Sequence, residues 1–198
     1  MSHPKEQTED ELAPTETEGY KVGQSKTVAE LAALDQEDES LQRWKASLGL
    51  GTSAGSGGSK KVVLKTLFLQ SPTLPKQITI DLTQSPAELA KLKKEPLTIK
   101  EGVEYSVGIT FTVENEIVSG LKYLQVVKRT GITVDKTEAM LGSYGPQEAA
   151  YTKVFASEES PSGMLARSGG YVVRSRVIDD DKHVWLDFEW GFKLGKEW

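Results

Sequence analysis

The side chains that could carry out chemistry in this chain are few and are not arranged for catalysis. The sequence has no cysteine and only two histidines, His3 and His183. The absence of cysteine excludes a thiolate nucleophile, a disulfide framework and a thiolate metal site, and two histidines nearly exclude a histidine-rich zinc site. Serines are abundant, but His183 has no evident triad context. We therefore predict a protein that is not an enzyme and has no catalytic residues, metal or cofactor.

Two groups of acids have the composition of a cation site or of a catalytic pair. Asp179, Asp180 and Asp181 lack the glycine and the distal glutamate of an EF-hand loop and lie between two strand candidates, so a solvated hairpin turn is favoured over a calcium loop. Glu158 and Glu159 are adjacent, and neighbouring residues of an extended chain point apart, which makes them a poor pair of glycosidase acids. Both groups are interpreted as acids without a catalytic role.

The charge of the chain is divided unevenly along its length. Residues 1–40 contain eleven acids and three bases, a net charge of −8, whereas the remainder carries +3. An acidic arm on a mildly basic body disfavours nucleic acid and favours a basic partner. Residues 1–26 are predicted to be a disordered acidic segment, because most of this stretch lacks apolar periodicity.

Residues 27–48 are predicted to form two short amphipathic helices, at about 27–34 and 38–48. Thr27 and Glu30 have the spacing of a capping box, and leucines then recur at helical intervals. Each helix is too short to be stable alone in water, so the pair either docks on this protein's own body or folds on a partner's surface. Residues 49–59 are a Gly/Ser linker that marks a domain boundary and lacks the Gly-Lys-Ser/Thr ending of a phosphate loop.

Residues 60–198 are predicted to be a β-domain with its own core. Apolar and polar residues alternate over 103–113 and again over 184–194, as in half-buried strands, and only 87–94 looks helical. Seven or eight strands in this length predict an all-β fold, an immunoglobulin-like antiparallel sandwich, with a jelly roll or closed barrel as the alternative. The alternation turns Phe188, Trp190 and Phe192 inward, either into a close-packed core or beside an apolar slot between the sheets.

No apolar run approaches the roughly 18–20 residues that span a bilayer, and no signal-peptide pattern opens the sequence. We therefore expect a soluble, cytoplasmic protein without stable membrane insertion.

Six longer motifs follow one another between about Tyr20 and Trp198, among them IKEGVEY, VDKTEAMLGSYGP and GMLAR. They occupy residues 34–49, 99–105, 116–125, 134–146, 163–167 and 179–182. Their residues and their order resemble those of the Rho GDP-dissociation inhibitor family. Residues 1–19 resemble it only in being acidic.

The resemblance implies an immunoglobulin-like sandwich with a geranylgeranyl pocket, preceded by a regulatory arm whose helical hairpin clamps the switch regions of a Rho-type GTPase. Such a protein would extract the prenylated GTPase from membranes and slow GDP release. The implied partner is a prenylated Rho-family GTPase, favoured in its GDP-bound form. The complex would be a 1:1 heterodimer with an otherwise monomeric protein.

The resemblance also implies three groups of site residues. Binding to the switch regions would fall to Tyr20, Leu31, Leu34, Asp38, Ser40, Leu41, Trp44 and Leu48. The prenyl pocket would be lined by Leu67, Leu69, Leu97, Tyr105, Ile117, Leu121, Phe188 and Trp190. Acids facing the GTPase or its basic tail would be Glu158, Glu159, Asp179, Asp180 and Asp181.

Two other functions remain open at this point. A generic lipid carrier of similar fold would bind prenylated or acylated clients and ignore the GTPase surface. An adhesive or scaffold sandwich with a filled core would show no lipid-dependent binding. The chain also departs from the family at Phe188 and Leu97, where larger aromatic residues are common, so a pocket of different shape is expected.

Overall fold

The structure, a computed structural model, describes residues 11–15, 30, 38–41, 43 and 59–198. From residue 60 onward the chain is built mostly of strands. Its elements in chain order are β1 (Lys61–Gln70), β2 (Ile78–Asp81), α1 (Pro86–Leu89), a 3₁₀ turn (Ala90–Lys93), β3 (Leu97–Lys100), β4 (Glu104–Glu114), β5 (Val118–Arg129), β6 (Ile132–Tyr144), β7 (Tyr151–Val154), β8 (Glu158–Glu159), α2 (Met164–Arg167), β9 (Gly170–Ile178) and β10 (Val184–Gly195).

The strands form two sheets that face each other. Sheet 1 has the order β2-β1-β4-β7, with β8 also paired to β4, and sheet 2 has the order β3-β10-β9-β5-β6. The pairs are antiparallel except for β3 and β10, which run parallel. The predicted all-β sandwich is confirmed. The two long alternating segments became β4 and β10, and the helical pattern at 87–94 became α1 and the 3₁₀ turn.

The core lies between the sheets and is apolar on both faces. Ile109 and Phe111 of β4 face Leu121 of β5 and Val173 of β9, and all four are fully buried. Burial of this kind contributes roughly 1.5–3 kcal/mol per large side chain. The alternation of strand residues therefore fixes which side of each sheet turns inward.

The outer face of sheet 2 carries a second, smaller apolar cluster. Leu124 and Val126 of β5 and Ile178 of β9 pack there against Leu12, which is 1% exposed. The prediction of disorder for residues 1–26 did not anticipate this contact, because one leucine without periodicity gives no sequence signal. The other residues of that segment lie outside the described residues, so for the segment as a whole disorder stays a prediction.

The predicted helices at 27–48 and the linker at 49–59 fall largely outside the described residues. Within them, 39–41 and Arg43 are helical. Asp38 accepts hydrogen bonds through Oδ1 from the backbone amides of Ser40 and Leu41, at 2.9 and 3.2 Å. This is the geometry of a carboxylate that caps a helix start.

A charged group on the outer face of sheet 2 links its neighbouring strands β9 and β10. Both guanidinium groups of Arg174 and Arg176 donate to the carboxylate of Asp187, at 2.6–2.9 Å. Burial alone would raise the pKa of Asp187, but the two arginines outweigh it and lower the pKa below its ordinary value. The carboxylate is therefore stabilised in its charged form, as a link between β9 and β10.

We predict that Asp187→Asn lowers the free energy of unfolding at pH 7 by about 1–2 kcal/mol, because it weakens charge-assisted hydrogen bonds. A lowered folded-state pKa means that this stabilisation is complete above about pH 4 and is lost as the pH falls through the lowered pKa. Urea unfolding of both proteins should show a difference that narrows below about pH 4. Glu189→Gln, which loosens the exposed Lys93–Glu189 pair, is the control and should cost under about 0.5 kcal/mol. An equal deficit at every pH would contradict this role.

Gly108 in β4 is covered by an aromatic side chain from the neighbouring strand. Phe68 of β1 is its register partner, and a Cβ built on Gly108 would lie 2.2 Å from the Phe68 ring. The ring therefore occupies the space that any other residue would fill with its own side chain, and it is 7% exposed there.

We predict that Gly108→Ala destabilises the domain by about 1–3 kcal/mol, because the added methyl group displaces the Phe68 ring. Gly170→Ala is the matched control, since the nearest atom to its new Cβ is 4.0 Å away. That change should be neutral or stabilising by up to about 1 kcal/mol, through the lower entropy of the unfolded chain. Urea denaturation of the two variants measures the difference, and equal stabilities would refute the steric argument.

Candidate functional site

A small apolar slot lies between the two sheets, at the end where β2 and β3 flank them. Its cavity volume is about 10 Å³, which is about the space of one water molecule. The slot is lined by Leu67, Phe68, Leu69, Ile78, Ile80, Leu97, Val107 and Trp190. Both sheets thus contribute to a site that is apolar and almost closed.

Four of the eight residues predicted for the prenyl pocket meet at this slot: Leu67, Leu69, Leu97 and Trp190. The other four lie elsewhere in or beside the core. Phe188 and Leu121 are buried in the same apolar cluster, and Tyr105 packs against it while half-buried. Ile117 is half-buried in the turn before β5.

The slot also contains residues that the sequence did not single out as ligand-binding. Ile78 and Ile80 of β2 and Val107 of β4 line it. Each stands in an alternating strand pattern, which was the available signal. The pattern gives the inward face of a strand but not which inward residues of two separate sheets converge, and this is why they were missed.

A buried polar group holds one wall of the slot in place. The indole Nε1 of Trp190 donates to Ser175 Oγ at 3.1 Å, and Tyr123 Oη lies 2.8 Å from the same oxygen. Tyr123 Oη also donates to Gln125 Oε1 at 2.8 Å. Burial, above all, raises the pKa of Tyr123, which stays a neutral hydroxyl. The polar edge of Trp190 is therefore satisfied inside the core, and its apolar face is left for the slot.

The predicted acids Glu158 and Glu159 form β8, an exposed two-residue strand on β4. Tyr105 Oη donates to Glu158 Oε2 at 3.1 Å. Burial, and then the Glu158 carboxylate, raise the pKa of Tyr105, so this hydroxyl is a donor at neutral pH. The two carboxylates are open to solvent, and their assignment to a partner stays a prediction.

The three aspartates at 179–181 have different environments, and the solvated-turn interpretation was wrong for Asp179. This residue is 4% exposed, and it accepts hydrogen bonds from the His183 amide at 2.9 Å and from Trp185 Nε1 at 3.1 Å. Lys60 Nζ lies 2.9 Å from its carboxylate and 2.5 Å from that of Asp181. Asp179 therefore closes the β9–β10 turn and fixes the start of the sandwich. For Asp180 and Asp181 a partner-facing role stays a prediction.

The predicted switch-binding residues are only partly within the described residues. Asp38 and Ser40 are exposed and Leu41 is half-buried. The Ser40 hydroxyl, above all, and the amides of Leu41 and Ser40 lower the pKa of Asp38. Tyr20, Leu31, Leu34, Trp44 and Leu48 lie outside the described residues.

Within the described part of the chain, no group of three or more acidic or histidine side chains is placed to hold a metal ion. In the same residues, no helix is both long and apolar enough to cross a bilayer.

Known proteins resemble this chain over most of its length. The model of the family described as RHO protein GDP dissociation inhibitor matches residues 4–197. A Rho GDP-dissociation inhibitor of Schizosaccharomyces pombe is 41% identical over 180 residues, which cover 89% of this chain and 86% of that protein. Rho GDP-dissociation inhibitor 1 of Rattus norvegicus is 43% identical over 181 residues, covering 90% and 86%.

A Rho GDP-dissociation inhibitor of Saccharomyces cerevisiae is 42% identical over 185 residues, covering 90% of this chain and 91% of that protein. A crystal structure of a Niemann-Pick type C2 protein from the Japanese carpenter ant covers 71% of this chain and 97% of its own, at 9% identity and a TM-score of 0.40, which is too low to add to the fold assignment. The family match and the identities agree with the motifs and with the two-sheet fold. The chain belongs to the Rho GDP-dissociation inhibitor family.

Proposed function

We propose that this protein inhibits GDP dissociation from Rho-family GTPases and removes them from membranes. In this proposal the arm at 27–48 binds the switch regions, and the sandwich accepts the geranylgeranyl group between its sheets. The observation that carries the proposal is the apolar slot, to which inward residues of both sheets contribute. Family membership supports the identity of the partner, because the relatives are named for GDP-dissociation inhibition.

Because the slot is almost closed, lipid binding requires the sandwich to open. A cavity of about 10 Å³ is far below the roughly 300–1,000 Å³ of typical ligand pockets. A prenyl chain therefore enters only as the sheets move apart near β1, β2 and β10. The apolar lining favours entry of the prenyl chain, because contacts with the lipid replace the side-chain contacts that are lost as the sheets move apart.

The energy of lipid burial explains why an arm is needed. Burial contributes roughly 0.8 kcal/mol per CH₂, so a prenyl chain gains on the order of 10 kcal/mol in the sandwich, before the cost of opening it. The same chain gains a similar amount in a bilayer. The two burial free energies nearly cancel when the prenyl chain moves from the bilayer to the sandwich. Protein contacts made by the arm therefore decide whether the GTPase leaves the membrane.

Asp38 and Ser40 are suited to hold a loop rather than to perform chemistry. Their side chains are exposed at a helix start, where a carboxylate and a hydroxyl can bind backbone and side-chain groups of a switch loop. Holding that loop would keep the nucleotide in place by immobilising its lid. The partner would be a prenylated, GDP-bound GTPase in a 1:1 complex, in the cytoplasm, and the protein would act by binding rather than as an enzyme.

We predict that the full chain releases geranylgeranylated, GDP-loaded Rho-type GTPase from liposomes and slows GDP loss, whereas a chain lacking residues 1–59 still binds the lipid but releases no GTPase. The reason is the near cancellation of the lipid term between bilayer and sandwich. Sedimentation of the liposomes gives the released fraction, and a fluorescent GDP analogue gives the off-rate.

The shortened chain retains Lys60 and hence its contacts with Asp179 and Asp181. Its binding to a geranylgeranylated peptide is the control for folding. If it strips liposomes as well as the full chain, the proposed role of the arm is wrong. If the full chain neither releases the GTPase nor changes the off-rate, the protein is a generic lipid carrier or a sandwich with a closed slot.

We predict that Leu97→Glu weakens binding to a geranylgeranylated peptide at least 10-fold, because it places a charge at the apolar slot. Thr98→Glu adds the same charge to the same strand on its opposite face and should leave lipid affinity within about twofold. Fluorescence titration with a labelled prenyl peptide measures both. Equal losses in the two variants would show that the slot between β1, β3 and β10 is not the lipid site.

A further inference from the structure

The outer face of sheet 2 is a docking surface whose occupant is part of this chain. Leu12 inserts among Leu124, Val126 and Ile178, and it is more completely buried than many residues of the main core. Without Leu12, this part of the face would present an apolar patch to solvent on two adjacent strands. The seat is therefore shaped for one apolar side chain.

Polar contacts fix the residues on both sides of Leu12. At one end Glu11 pairs with Lys128 Nζ at 2.5 Å and accepts a hydrogen bond from Thr133 Oγ1 at 3.1 Å. At the centre Arg176, which also holds Asp187, donates to the Leu12 carbonyl at 3.5 Å.

At the other end Thr15 donates to Glu138 Oε2 from its amide at 3.0 Å and from its hydroxyl at 2.8 Å. The Thr15 carbonyl accepts from Lys122 Nζ at 3.3 Å, and Lys122 also pairs with Glu138 at 3.3 Å. The contacts run along β5 and β6 from Lys128 to Lys122. The rim thus offers Lys128 to Glu11 at one end, and Glu138 with Lys122 to Thr15 at the other.

The docked segment ends beside the point where the sandwich begins. Lys122, which holds the Thr15 carbonyl, is the register partner of Ile178. The next residue, Asp179, pairs with Lys60. Residues 15 and 60 are therefore attached to the same end of sheet 2.

We infer that Glu11–Thr15 is a latch that fixes this segment to the outer face of sheet 2, and that added negative charge at Thr15 opens it. The charge effect follows from geometry, because a negative group there would face the Glu138 carboxylate that now accepts from the hydroxyl. This inference does not depend on the proposed function.

The chain has no cysteine, so Ala13→Cys in the full-length protein carries a single nitroxide at an exposed position of the latch. We expect the label to broaden the amide signals of Leu124, Val126 and Ile178. Leu12→Asp in the labelled chain should abolish this broadening. Leu50→Asp, the same substitution in the linker, should leave it intact. Unchanged broadening in Leu12→Asp, or none in the parent chain, would overturn the latch.

Methyl signals of the same three residues in the unlabelled chain provide a second measurement that does not require the label. They should shift in Leu12→Asp and not in Leu50→Asp, while the rest of the sandwich spectrum is unchanged.

A second nitroxide at Ser59→Cys tests whether both attachment points are fixed relative to each other. The distance distribution between positions 13 and 59 should be narrow in the parent chain and broad in Leu12→Asp, and a broad distribution in both would refute the latch.

The charge control of the latch is tested at Thr15 itself. Thr15→Glu should lose most of the broadening from position 13, whereas Thr15→Gln, of the same size and uncharged, should keep it. Equal release by glutamate and glutamine would refute control by charge.

Discussion

The interior of this sandwich depends on keeping a few polar atoms paired inside an apolar layer. Ser175 Oγ lies 2.8 Å from Tyr123 Oη and 3.1 Å from Trp190 Nε1, and it is fully buried. These contacts join β5, β9 and β10 across the inner face of sheet 2. An unpaired buried polar group costs roughly 1–3 kcal/mol, so the three side chains hold one another in place. The position of the Trp190 ring, and with it one wall of the slot, follows from this pairing.

Much of the fold and half of the residues that line the slot could be predicted from the sequence, for a physical reason. Strand residues alternate between two faces, so the pattern around Phe111 and around Trp190 gave both the strands and their inward sides. Leu67, Leu69 and Leu97 were placed near Trp190 by resemblance to the family. Ile78, Ile80 and Val107 were missed, because which residues of two sheets converge depends on how the layers stack. The stacking of the two sheets produces no periodic pattern in the sequence of either strand.

Residue type did not predict the burial of Asp179 and Leu12, because tertiary contacts enclose both side chains. Asp179 reads as a surface acid, yet Lys60, Trp185 and the His183 amide enclose it. Leu12 reads as an isolated apolar residue in an acidic tail, yet it is buried by side chains more than a hundred residues away along the chain. In both cases the partners are non-local, and a local pattern carries no information about them.

The almost closed slot has a kinetic consequence. A ligand that enters only after the sheets part cannot associate faster than the sheets open, so its observed association rate levels off as ligand concentration rises. The affinity measured at equilibrium is reduced by the fraction of molecules that are open at any moment. Substitutions far from the lining that loosen the contact between β1 and β10 would then tighten apparent binding without touching the ligand. Under the proposed function, the packing of the core would thereby limit how quickly a lipid is taken up and released.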